Sequence, residues 1–175
     1  MQKLGRLLLL LGVCGGMTGA SLAQASDRAS AALAKLRALA GEWEGTFAWS
    51  GGSTASGKMD ARYYTTGNGS AIVEDLLMGG EPSMTTVYHL DGADLRATHF
   101  CAAQNQPRLR AKAFDPDSGQ ITFSFVDVTN LRTPTAGHVE GLDVRFLDAD
   151  HITLRFLFKG DGKESFELVD LRRKK

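Results

Sequence analysis

His99 and Cys101 are the residues of this sequence whose types and spacing most directly offer chemistry. They stand two positions apart in an alternating segment, and positions i and i+2 of a β-strand point to the same side. An imidazole and a thiol on one side can contact one ligand, share a metal ion, or act as base and nucleophile. The pair equally fits a packed interior, as a hydrogen-bonded histidine beside a small apolar cysteine.

A metal or a nucleophile at this pair would need further groups. Two ligands are too few for a closed zinc site, and a third would have to come from His138, Glu140, Glu74 or Asp75. A nucleophilic cysteine would need a third group to orient the imidazole. The sequence identifies no cofactor, no catalytic residue and no complete metal site.

Glu74 and Asp75 lie in a run whose two faces are both apolar, which places one of the two carboxylates inside the fold. A buried carboxylate is costly unless it is paired or neutralised. We expect His99, Arg108 or Tyr63 to supply the partner. The alternative is that a strand end leaves the acid at the rim.

The segment from Asn105 and Gln106 to Arg108 follows Cys101 and offers amides and one fixed cation. We expect it at the mouth of the fold, where Arg108 can bind a polar or carboxylate head group through two hydrogen bonds. The alternative is a turn whose side chains cap the local backbone.

Short β-strands must position these side chains, because turn sequences recur every ten to fifteen residues after Gly41. Between them, apolar and polar residues alternate over 43–49, 57–65, 70–78, 83–90, 95–101, 107–114, 120–127, 138–146, 151–158 and 164–171. Closure into a barrel would remove the exposed edges of such a meander. We predict an all-β fold, an up-and-down barrel of about ten antiparallel strands preceded by one short helix over 26–40.

The hairpin through Asp91-Gly92 predicts a register. If Leu90 pairs with Leu95, then Thr86 faces His99, and the more apolar face of the hairpin points inward. Side chains on inward faces should line the lumen and contact a ligand. They are Trp43, Tyr63, Tyr88, His99, Cys101, Phe123 and Phe156, with Asn105, Gln106 and Arg108 near the mouth.

The first 25 residues resemble a secretory leader. Lys3 and Arg6 precede a short apolar run, and Ala23-Gln24-Ala25 offers small residues to a signal peptidase. Acylation at Cys14 is the alternative. We predict a cleaved leader over 1–25, a helix over 26–41, a barrel domain over 42–172, and a periplasmic or secreted location.

Charge and cysteine content narrow the function classes. The chain has 20 basic and 20 acidic residues, and loss of the basic residues Lys3 and Arg6 leaves a net charge of −2. This balance argues against nucleic acid as a partner, and no second long apolar stretch predicts a membrane span. Cleavage would leave Cys101 as the single cysteine, so the fold must be held by its core.

The run through Leu36, Gly41, Trp43 and Gly45 resembles the opening of the calycin barrels, which include the lipocalins and the nitrobindin-like group. In lipocalin-type barrels the first-strand tryptophan closes the barrel floor under an arginine from near the chain end. The resemblance implies that Trp43 pairs with one of the neighbouring arginines at 172 and 173. Nitrobindin binds haem through a histidine on a late strand, and here the strands after His151 contain none.

A second segment, from Met84 to Arg108 through Thr98-His99-Phe100-Cys101, resembles a family of exported bacterial proteins of unassigned function. Three hypotheses follow. The first is an exported barrel that binds a small, largely apolar ligand. The second is an enzyme or metal site at His99 and Cys101, and the third is a structural or partner-binding barrel with a filled core.

Overall fold

The structure is a computed structural model that describes residues 18–115 and 119–175. It contains the helix α1 (Thr18–Arg37) and the strands β1 (Gly41–Gly51), β2 (Ser56–Lys58), β3 (Asp60–Thr66), β4 (Ala71–Met78), β5 (Glu81–Asp91), β6 (Asp94–Phe100), β7 (Gln106–Asp115), β8 (Gln120–Thr129), β9 (His138–Asp148), β10 (His151–Gly160) and β11 (Lys163–Arg173). Within these residues, no helix is both long and apolar enough to span a bilayer.

Ten of the strands in the described residues form a closed antiparallel barrel. Each strand from β3 to β11 pairs with its neighbour in sequence, β1 pairs with β3, and pairing of β11 with β1 closes the circle. The short β2 adds only to β1. Gly45 permits the closure, because a Cβ at this position would overlap the backbone of Asp170 on β11. The predicted fold class is confirmed.

The helix α1 covers one end of the barrel, called here the helix end. Ala32, Leu33 and Leu36 on its inner face are buried, and its Arg37 guanidinium donates a hydrogen bond to the carbonyl oxygen of Gly69 at 2.8 Å. The helix begins eight residues before the predicted start and ends three residues before the predicted end. Residues 1–17 of the predicted leader, with Cys14, lie outside the described residues.

Trp43 and Arg173 seal the helix end. The guanidinium carbon of Arg173 lies 4.4 Å from the centroid of the Trp43 ring, and the same guanidinium donates to the carbonyl oxygens of Ala38 and Ala40. The Trp43 indole in turn donates to Leu39 at 2.8 Å. Of the two arginines that the resemblance to lipocalins implied, Arg173 is the partner, because Arg172 points to solvent.

The predicted register of the β5–β6 hairpin is confirmed. Leu90 pairs with Leu95, and Thr86 pairs with His99. His99 is fully buried, whereas His89 on the opposite face is half-buried. The turn at Gly92 and Ala93 therefore directs Thr86 and His99 into the barrel.

A β-bulge in β9 turns His138 and Glu140, which were candidate third metal ligands, away from the interior. Leu157 pairs with Gly141 and Phe158 pairs with Val139, so the intervening Glu140 has no partner on β10. A bulge places one extra residue in one strand, which reverses the alternation of inward and outward side chains beyond it. Val139 is therefore buried, and Glu140 lies 3.2 Å from Lys159 in an ion pair.

Candidate functional site

A row of polar side chains crosses the interior on four consecutive strands. Tyr63 pairs with Glu74, Glu74 pairs with Thr86, and Thr86 pairs with His99. Partners in an antiparallel sheet project from the same face, and all four side chains are buried. Strand pairing thus aligns a carboxyl group, a hydroxyl and an imidazole inside a largely apolar barrel.

Glu74 is held at one end of this row by two tyrosines. Its Oε2 accepts hydrogen bonds from the hydroxyls of Tyr63 at 2.8 Å and Tyr88 at 2.9 Å. Burial raises the pKa of Glu74 to about 7, against the opposing effect of hydrogen bonds from Tyr63, Tyr88 and Thr86. Tyr63 was among the partners predicted from the sequence, and Tyr88 was not.

The imidazole of His99 ends the row. Its Nδ1 lies 2.9 Å from Oγ1 of Thr86, and its ring lies 5.1 Å from that of Phe156. Burial lowers the pKa of His99 to about 4, so the ring is neutral at physiological pH. The neutral ring has one donor and one acceptor nitrogen.

Two buried atoms of this row have no hydrogen-bond partner among the described residues. They are Oε1 of Glu74 and Nε2 of His99. Buried polar side-chain atoms are usually satisfied, and exceptions call for an explanation such as a ligand. His99 lines a cavity and its Nδ1 is occupied by Thr86, so the imidazole is the part of this row that lies beside a possible ligand site.

This cavity lies at the end of the barrel opposite α1, and we call it the open-end cavity. Its volume is about 320 Å³. Most of its walls are apolar. They are formed by Phe47, Trp49, Met59, Met78, Ser83, Met84, His99, Cys101, Ala102, Ala103, Val139, Phe156, Phe158 and Glu167.

Glu167 on β11 is the one carboxylate in the wall of the open-end cavity. Its side chain is buried, with the residue 5% exposed. Burial raises the pKa of Glu167 to about 7, against a hydrogen bond from the indole N–H of Trp49. Sequence reasoning missed this residue, although its alternation with the buried Val169 and Leu171 placed it on the inward face.

Cys101 lies in the same cavity wall, but it is not arranged as an activated nucleophile. Burial raises the pKa of its thiol, whereas reactive cysteines have lowered pKa values. The described hydrogen bonds of His99 run to Thr86 and not to the thiol. Moreover, no cluster of three or more His, Cys, Asp or Glu side chains in the described ranges is placed to hold a metal ion.

The structure divides the aromatic residues predicted to line the lumen. Only Phe156 reaches the open-end cavity. The Trp43 and Tyr63 rings pack edge to face at 6.1 Å, and Tyr88 packs on Phe123 at 5.6 Å. These four residues fill the barrel below the cavity, so the filled-core hypothesis describes the middle of the barrel.

The three polar residues predicted at the mouth do not face the cavity. Arg108 lies on the outer surface, where Nη2 contacts Asp127 Oδ2 at 2.7 Å. Gln106 accepts a hydrogen bond from Thr129, and the buried Asn105 donates to the carbonyl oxygen of Gly137 at 2.9 Å. β7 begins at Gln106, so the segment expected to be a loop is already strand, and Arg108 falls on its outward face.

Comparisons with known proteins give information on the fold alone. No family model and no curated protein matches the chain. The structure is similar to Rv2717c from M. tuberculosis, with 17% identity and a TM-score of 0.55 over 82% of this chain and 98% of that chain. It is also similar to a protein of unknown function from the DUF3598 family of Nostoc punctiforme, with 14% identity and a TM-score of 0.55.

The chain covers 49% of that Nostoc protein, with 79% of its own length aligned. It therefore spans about half the length of this second neighbour. At identities this low, the likeness concerns architecture alone. The chain is thus similar in fold to Rv2717c and to part of the Nostoc protein.

Proposed function

We propose that this protein binds a small, largely apolar molecule in the open-end cavity, with Nε2 of His99 as a polar contact. One observation carries the proposal: a buried imidazole with an unpartnered nitrogen lines an apolar cavity of about 320 Å³. Ligand sites are typically mostly apolar clefts with a few placed polar groups.

The size of the cavity favours a ligand over a packing defect. Protein interiors contain few voids larger than a water molecule, and ligand pockets begin at about 300 Å³. Below the cavity the same barrel is filled by Trp43, Tyr63, Tyr88 and Phe123, all of them buried. The packing is therefore dense in the middle of the barrel and open where His99 is reached.

A matched pair of variants tests this proposal. Ala103→Phe adds a ring at the cavity wall, and Ala48→Phe adds the same ring on the exposed outer face of β1. Native mass spectrometry of the full chain with added octanol should show a bound molecule for the wild type and for Ala48→Phe. The adduct should be lost in Ala103→Phe.

Retention of the adduct in a folded Ala103→Phe protein would place the ligand elsewhere. Absence of any adduct in the wild type would contradict the proposal. Near-ultraviolet circular dichroism of each variant establishes that the barrel is folded before binding is compared.

We further propose that the chain is exported and belongs with the exported proteins that the segment 84–108 resembles. The basic start and the small residues Ala23 and Ala25 support cleavage before Ser26. Intact mass measurement of the protein recovered from periplasm or medium should give a chain beginning at Ser26. A mass that includes a diacylglyceryl group on Cys14 would identify a lipoprotein, and a full-length cytoplasmic chain would contradict export.

A further inference from the structure

The described residues that line the open-end cavity include one carboxyl group and no cationic side chain. Among its described lining residues, Glu167 supplies a carboxyl group and His99 supplies an imidazole, and none is Lys or Arg. The cation expected to meet a carboxylate head group was Arg108, which lies on the outer surface with Asp127. The described lining thus offers a carboxyl group, which is negatively charged when it is ionised, and no cation to balance an anionic ligand.

Thr86 occupies Nδ1 of His99 at 2.9 Å, which leaves Nε2 without a partner among the described residues. The Thr86 hydroxyl can either donate to Nδ1 or accept from it. Nε2 is a donor in one tautomer of the neutral ring and an acceptor in the other, so the carboxyl group of Glu167, and not the imidazole, distinguishes one head group from another.

Glu167 is an acceptor when it is ionised. A carboxylate ligand would be repelled by the ionised Glu167 and would find no cation among the described lining residues to offset its lost hydration. A head group that donates can form a hydrogen bond with Glu167. A protonated amine makes the stronger contact, because hydrogen bonds between ionised partners exceed those of neutral groups.

We infer that the ligand of this cavity is an apolar molecule ending in a hydrogen-bond-donating head group, an amine or a hydroxyl, and not a carboxylic acid. This inference rests on the proposed function. It assigns Glu167 as the residue that selects the head group, with Nε2 of His99 as a second polar contact.

The test compares three ligands that share one alkyl chain. Octylamine, octanol and octanoate are titrated into the full-length protein by calorimetry at about pH 8, where a carboxyl of pKa near 7 is mostly ionised. Octylamine and octanol should bind at least about ten-fold more tightly than octanoate, the ratio expected for one charge-assisted hydrogen bond.

Glu167→Gln isolates the contribution of the carboxylate. The variant should bind octylamine about ten-fold more weakly than the wild type does, and its affinity for octanol should stay within about three-fold of the wild-type value. The difference in affinity between octanol and octanoate should become smaller. Glu164→Gln is the control, because Glu164 lies on the same strand but is exposed and paired with Lys159. This control should keep the wild-type order.

The outcomes separate the two claims. If octanoate binds as tightly as octanol, or if Glu167→Gln leaves octylamine unchanged, the head-group inference is wrong while ligand binding stands. If none of the three ligands binds, the proposed function fails and this inference fails with it. If Glu167→Gln does not fold, the relative affinities of the wild type for octanoate and octanol decide the question.

Discussion

Thr86 and His99 face each other across β5 and β6, and their Oγ1 and Nδ1 atoms lie 2.9 Å apart inside the barrel. This contact occupies one nitrogen of the imidazole and leaves the other without a partner among the described residues, in a side chain that lines the open-end cavity. It links that cavity to Glu74, because Thr86 pairs with Glu74 across β4 and β5. The buried polar row thus orients the histidine that lines the cavity.

Removal of the Thr86 hydroxyl should destabilise the protein. Thr86→Val keeps the side-chain shape but leaves Nδ1 of His99 without its partner, which should lower the free energy of unfolding by about 1–3 kcal/mol. Urea unfolding measures the change. Thr98→Val, on the outer face of β6, serves as the control, and equal stability of the two variants would contradict the structural role of Thr86.

Glu74 should make the folded protein more stable at acidic pH than at alkaline pH. Burial raises its pKa from 4.5 to about 7, so the folded protein keeps the proton over a range where the unfolded chain has released it. This contribution is fully present below the unfolded pKa and is lost as pH rises through the folded pKa, a change of about 3 kcal/mol.

Glu74→Gln should remove that pH dependence, because the amide does not ionise. Relative to the wild type, the unfolding free energy of the variant should rise by about 3 kcal/mol between about pH 4.5 and pH 8. Glu81→Gln, at an exposed position on β5, should track the wild type. A constant difference between Glu74→Gln and wild type would show that Glu74 is ionised throughout.

Arg173 should contribute more to stability than its neighbour Arg172. Arg173→Lys weakens the contact with the Trp43 ring and loses hydrogen bonds to Ala38 and Ala40. The expected loss is about 2 kcal/mol in thermal or urea unfolding. Arg172→Lys changes an exposed residue and should have almost no effect. A similar loss in both variants would contradict the sealing role of Arg173.

The Cys101 thiol should react slowly in the folded protein. Burial raises its pKa, which lowers the fraction of thiolate at neutral pH. Peptide-resolved mass spectrometry after iodoacetamide treatment should show alkylation of Cys101 at least about ten-fold slower than in urea. Added octanol should slow it further, because Cys101 lines the cavity. Rapid modification in the native state would instead indicate an activated thiol.

The sequence was sufficient to predict the strands and much of their register, because one face of each strand is buried. Leu90 and Leu95 lie on either side of the segment 91–94, whose tight turn left one register favourable, and this placed His99 inside correctly. The bulge at Glu140 was not predictable in this way. The alternation of apolar and polar residues in the sequence does not show which residue is the extra one. The pairing of Val139 with Phe158 becomes visible only in the folded sheet, where β9 lies beside β10.

The binding cavity was less predictable than the barrel. Of the ten residues predicted to contact a ligand, His99, Cys101 and Phe156 line the cavity. The alternation along a strand identifies which side chains face inward. It does not show which part of the barrel interior the large aromatic rings fill. Glu167 could have been found from its alternation with Val169, whereas the empty volume beside it depends on packing between strands distant in sequence.

The most direct test of ligand binding beside His99 is a crystal structure of the protein with octanol labelled by bromine at the end of its chain. Anomalous scattering should place one bromine inside the open-end cavity, with the hydroxyl in hydrogen-bond distance of His99 Nε2. Bromine found only on the outer surface, or a cavity filled by the protein's own side chains, would contradict this account.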